Sequence, residues 1–156
     1  MKLHYTLLLA LVYALSSCTD TYTICNENRT VQFNSYFYKK VNGQEVTANA
    51  PDLKIIDLTS NATILNNQLN TPSFSLVLNP LVDSMKFHIA LSPTLQADTL
   101  TVVYTSQSKS LSTECGVISI HTISKAYTTR HTLDTVKLTN SAVVNDNLSP
   151  NTKIFF

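Results

Sequence analysis

The chain has 156 residues and a formal net charge of +1, and only 13% of its residues are charged, well below the roughly 25% of an ordinary soluble domain. Hydrophobic residues make up 44%, and serine, threonine and asparagine together about a third, so the polar surface is largely uncharged. This balance excludes a highly charged disordered tail, a basic nucleic-acid arm and a coiled coil rich in Glu and Lys, and it fits one globular domain.

Lys2 precedes a largely apolar run, Leu3 to Leu15, that is too short for a permanent membrane span, so residues 1–17 are expected to be a cleaved secretory signal. The run ends in Leu15-Ser16-Ser17-Cys18, which resembles the lipobox of bacterial lipoproteins: an aliphatic residue, two small ones, then cysteine. The resemblance implies that Cys18 becomes the first mature residue and carries the lipid, so that the membrane is a partner through the acyl chains alone. An ordinary signal with a free or bridged Cys18 is the alternative. Loss of Lys2 leaves the basic and acidic residues in balance, and electrostatic recruitment to an anionic surface is not expected. Residues 18–29 are expected to be a lipidated tether, and 30–156 a single domain. Thr19 is not the aspartate associated with inner-membrane retention in lipoproteins that this sequence resembles, and Asp20 alone is a poor match for the acidic cluster of surface-exposed ones. The outer membrane is therefore favoured, facing the periplasm rather than the outside.

An exported chain meets an oxidising compartment, where cysteines pair, yet there are three. If Cys18 carries lipid, Cys25 and Cys115 remain, and a bridge between them closes a loop of about 90 residues, for which the chain-entropy estimate is ~4 to 5 kcal/mol as an upper figure. Two buried thiols are the alternative. No cysteine pair has C-x2-C spacing, so no metal site is expected.

From Thr30 the apolar residues recur at period two: Val31, Phe33 and Phe37 on one face, with Gln32, Asn34, Tyr36 and Tyr38 on the other. Leu53 to Leu58 is a second candidate strand, where adjacent Ile55 and Ile56 require either two covered faces or a bulge. Phe74, Leu76 and Leu78 form a third, stopped by Asn79-Pro80. Met85, Phe87, Ile89 and Leu91 alternate with Lys86, His88 and Ala90 in the cleanest half-buried pattern. Leu100, Val102 and Tyr104 follow, then a polar stretch, Ser106 to Ser110, expected to contain a turn. Val117 to Ile123, Leu133 to Leu138 and Thr152 to Phe156 complete the series, the last with two aromatics that imply a docked C-terminus. Asparagine-rich segments at Asn42-Gly43, Asn49 to Asp52, Asn61 to Asn70 and Asn140 to Asn151 read as loops, the third with a short helical turn as an alternative. With no helical stripe in the mature chain, the expected fold is all-β: an antiparallel two-sheet sandwich, Ig-like in general architecture, of about 7–9 strands.

Several landmarks occur together: Cys18 then Cys25; Ser75-Leu76-Val77-Leu78-Asn79-Pro80-Leu81 with Asp83; Asp98-Thr99-Leu100-Thr101-Val102 with Tyr104; Cys115-Gly116; and a terminal aromatic strand. In this order they resemble a small lipoprotein family from Bacteroidetes whose domain has no known function. The resemblance implies a structural role for Cys115, with Gly116 allowing close backbone approach, and it carries no activity. Such bacteria O-glycosylate Asp-Ser/Thr followed by an apolar residue. Asp83-Ser84-Met85, Asp98-Thr99-Leu100 and Asp134-Thr135-Val136 resemble that pattern, which makes Ser84, Thr99 and Thr135 candidate acceptors; turn-forming acids at strand entrances explain the triplets equally well.

Catalytic signatures do not emerge. His88, His121 and His131 lack metal-ligand spacing, there is no G-x-S-x-G, P-loop or G-x-G-x-x-G, and the acidic residues are scattered singly. His131 and Asp134 are close enough to meet across a turn as the seed of a hydrolase site, though a surface hydrogen bond explains them as well. Tyr36 and Tyr38 form a strip able to stack on a sugar, or equally to pack across strands. The expected function is a lipid-anchored, non-catalytic binding or structural accessory of the envelope, without cofactor, its partner an envelope protein or a glycan. A hydrolase and a secreted carbohydrate-binding module are the alternatives.

Overall fold

Alternating apolar residues bury one face of successive strands, and two sheets close over the result. The structure, a computed structural model, describes residues 24–145 and 149–156. Its strands are β1 (Phe33–Val41), β2 (Gln44–Thr47), β3 (Ala50–Asp57), β4 (Thr63–Thr71), β5 (Ser73–Leu76), β6 (Ser84–Ala90), β7 (Asp98–Ser110), β8 (Val117–Thr128), β9 (Thr135–Leu138), β10 (Ala142–Val143) and β11 (Thr152–Phe155). No helix occurs among the described residues. One sheet has the order β2-β1-β11-β9, with β5 also paired to β1; the other has the order β10-β8-β7-β6-β3-β4. The fold is a two-sheet sandwich, as the periodicity indicates.

One pairing departs from the antiparallel expectation. β1 and β11, from opposite ends of the domain, run parallel, with Ser35 opposite Thr152 and Phe37 opposite Ile154. Local periodicity carries no information on strand direction, because side chains alternate faces with the same period of two in parallel and antiparallel pairs. The inner faces meet in one core built on Phe33, Phe37, Leu53, Phe74, Phe87, Leu100, Tyr104 and Ile154. The Phe37 ring, fully buried, lies 5.5 Å from that of Phe74 and 5.7 Å from that of Phe156. Ser35 and Thr152 are buried among these residues and share a 2.6 Å hydrogen bond, which satisfies the hydroxyls inside the core.

The strand total exceeds the expected number because of polar segments. Asn61 to Asn70 is not a loop or helical turn: β4 occupies most of it as an exposed edge strand whose backbone pairs with β3. Asn67 (φ 51°) and Asn70 (φ 52°) take the left-handed conformation that asparagine tolerates. The shift in register at Ile55 and Ile56 is the bulge that two adjacent isoleucines allowed. Asn49 to Asp52 is also partly strand, since β3 begins at Ala50. Ser106 to Ser110 contains no turn; β7 continues through it against β8, and the chain reverses between Leu111 and Gly116. An edge strand or a projecting hairpin is held by backbone hydrogen bonds and needs no apolar face, so it has no period-two signature.

Candidate functional site

The β7–β8 hairpin extends past the start of β6, because Ser84 pairs with Val103 while the hairpin runs on to Ser110 and Val117. The chain enters the domain at this projecting end. Cys25 is disulfide-bonded to Cys115 in the hairpin turn, with their Cα atoms 4.9 Å apart. Asn28 and Asn145 then exchange side-chain-to-carbonyl hydrogen bonds of 2.6 and 2.8 Å, and Lys109 donates to Asn145 Oδ1 at 3.2 Å. Residues 25–29, read from sequence as part of a tether, are thus fastened to the body of the domain. Gly116 has a φ of 72° and nothing within 4 Å of where a Cβ would stand, so it answers to backbone conformation and not to the close approach expected.

Beside the hairpin, residues 77–83 cross from β5 to β6 and display apolar side chains, Leu81 at 89% exposure and Val77 at 68%. Asn79 organises this crossover. Its Oδ1 accepts from the Leu81 N–H at 2.9 Å and its carbonyl accepts from the Tyr104 hydroxyl at 2.7 Å, while Tyr104 N–H reaches the Asp83 carbonyl at 2.8 Å. Three surface grooves flank the crossover and all include Pro80. The first, about 520 Å³, lies between the entering segment (Arg29 to Val31) and β8 (Ile118, Ser119, His121).

His121 lines that groove at 4% exposure. Its Nδ1 is 2.9 Å from the Ser106 hydroxyl, and the edge of its ring meets Tyr104 at 5.2 Å between centroids. Burial holds the His121 pKa below the ordinary imidazole value. Tyr104 is pushed up to about 12, chiefly by burial, so its phenol stays protonated. The Ser106–His121 pair needed the β7–β8 register to be found, and only the survival of His121 in the mature chain was visible beforehand. Among the described residues no carboxylate lines this groove, and none of their hydrogen bonds orients the second imidazole nitrogen as a Ser–His nucleophile requires. The arrangement offers hydrogen bonding beside an apolar wall.

Other candidates lie elsewhere. Cys18 is outside the described residues. His131 and Asp134 do not form a pair: the His131 N–H donates to Asp98 at 2.7 Å, the Asp134 N–H donates to the Phe155 carbonyl at 2.8 Å, and no hydrogen bond joins the two. Ser84, Thr99 and Thr135 stand half-buried on β6, β7 and β9; the acid before Thr99 is buried, those before Ser84 and Thr135 are exposed. Tyr38 is packed across strands, 5.8 Å from Phe155 with the Lys153 ammonium 4.6 Å over its ring. Lys39 and Lys40 cover Phe156 and Phe155. Among the described residues no group of three or more His, Cys, Asp or Glu is placed to hold a metal.

Residues 52–156, more than half of the chain, match a family of unknown function, DUF6452. The chain belongs to this family. The DUF6452 match runs from within β3 through the crossover, Asp98 and the β7–β8 hairpin to β11, and so includes Cys115, whereas Cys25 and β1 precede it. Neither the curated proteins nor the solved structures contain a match.

Proposed function

We propose that this DUF6452 chain is a lipid-anchored protein of a Bacteroidetes-type cell envelope, held through Cys18 in the outer membrane facing the periplasm, and that it serves as a non-catalytic binding or structural accessory. The Cys25–Cys115 disulfide carries this reading. It takes two of the three cysteines and leaves the lipobox cysteine as the odd one, in keeping with an oxidising compartment and a thioether at Cys18. The accessory role is supported by the exposed Val77 and Leu81 on the crossover and by the grooves beside them, where an envelope protein or glycan would dock.

Intact mass of the mature protein from its native membrane, before and after reduction and alkylation, tests the anchor. Acyl mass on a chain beginning at Cys18, with two thiols appearing only after reduction, is expected; an unlipidated chain overturns the reading. A further shift in the same masses would report glycan, and peptide mapping would assign it to Ser84, Thr99 or Thr135. A hydrolase is the second reading, favoured by the Ser106–His121 contact. Treatment with a fluorophosphonate probe is expected to leave Ser106 unlabelled, and labelling lost in His121→Ala would establish the hydrolase instead.

A further inference from the structure

We infer that the turn of the β7–β8 hairpin is the membrane-facing pole of the domain, with Ile24 and Val117 in the lipid interface. The inference rests on the anchor proposed above and adds an orientation to it. A chain held by lipid at Cys18 reaches its first fastening point at Cys25, and those seven residues span at most about 25 Å when fully extended. Because Cys25 is bonded to Cys115, that limit applies to the hairpin turn itself and not only to the start of β1. Without the bridge the next fastening is the Asn28–Asn145 pair, ten residues and up to about 35 Å from Cys18, and the hairpin turn would no longer be held within the shorter limit. The disulfide therefore selects which end approaches the bilayer.

The chemistry of that end agrees. Ile24 is 81% exposed and Val117 59%, one immediately before Cys25 and the other two residues after Cys115. From Lys109 to Val117 the formal charges are one lysine and one glutamate, so the turn carries no net charge toward lipid headgroups. Small apolar side chains on a neutral turn suit the interface of a bilayer to which acyl chains already hold the protein. Leu95, 50% exposed, lies before β7 and hence at the opposite pole.

The chain contains no tryptophan, so a single introduced indole reports alone. Full-length V117W, I24W and L95W lipoproteins, purified from membranes, are to be reconstituted into phosphatidylethanolamine–phosphatidylglycerol vesicles with brominated acyl chains. All three are expected to float with the vesicles. V117W and I24W should lose emission to the bromines and L95W should not; dithiothreitol should restore much of the V117W emission, while I24W, six residues from Cys18, stays quenched. Protein that fails to float overturns the anchor, and the orientation with it. Protein that floats with V117W as bright as L95W overturns the orientation alone, whatever I24W shows.

Discussion

Asp98 shows how much one buried side chain holds. It is 1% exposed, and its carboxylate accepts from the Thr129 hydroxyl and from the N–H groups of His131, Thr132 and Leu133 at 2.7 to 2.8 Å. It thereby fixes the connection that leaves β8 for β9. Burial alone would raise its pKa, but the four donors outweigh it and the net shift is downward. His121 is lowered by burial. Both groups bind protons more readily in the unfolded chain, so both withdraw stability as pH falls, in separate windows. Thermal unfolding followed by circular dichroism should show a first loss below about pH 6.5 that His121→Gln removes, and a second below about pH 4 that Asp98→Asn removes. Asp98→Asn should cost about 3 kcal/mol at pH 7, since hydrogen bonds to charged groups contribute about 1.5–3 kcal/mol each and an amide retains some of them.

Asparagine has two distinct roles here. Asn42 (φ 51°) and Gly43 (φ 80°) form the two-residue reversal between β1 and β2. Asn151 instead is fully buried: its Oδ1 accepts from Asn34 N–H, and its Nδ2 donates to the carbonyls of Asn140 and Ala142. Composition shows the abundance of asparagine but not this difference, because burial of a side chain is decided by segments distant in sequence. Gly43→Ala should lower stability by about 1 kcal/mol in a urea titration, through its backbone conformation alone, as the space beside it is open.

Among the elements, the β7–β8 hairpin is the longest and the most polar at its far end, and the disulfide fastens the N-terminal segment to its turn. The two cysteines are separated by 90 residues, so their bridge restricts the unfolded chain strongly. Cys25→Ser/Cys115→Ser should lose about 2–4 kcal/mol by urea denaturation, yet retain the far-ultraviolet spectrum of the sandwich. β3, β6 and the first half of β7 were legible because each alternates over a half-buried face. β4 and β10 were not, for they are edge strands held by backbone pairing with β3 and β8. The site divides in the same way: the cysteine pair followed from counting, whereas Ser106 and His121 meet through a cross-strand register that no local pattern encodes.

At the scale of the whole molecule, β11 lies between β1 and β9 although it is the last of the described strands in chain order. Ile154 is fully buried and Phe155 is 3% exposed, so the sheet is incomplete until the final residues dock. Deleting residues 152–156 is expected to leave an unfolded or molten chain, without near-ultraviolet ellipticity or dispersed amide resonances. Deleting 1–23 from a chain that retains Cys25 should leave both signals intact. Fold class, the main strands, the docked C-terminus and the cysteine arithmetic follow from the sequence alone, since period-two burial and residue chemistry are local properties. The parallel β1–β11 pairing, the polar strands, the four-donor seat of Asp98 and the Ser106–His121 contact were decided only by tertiary structure. Each depends on which distant segments satisfy one another's backbone and buried polar groups.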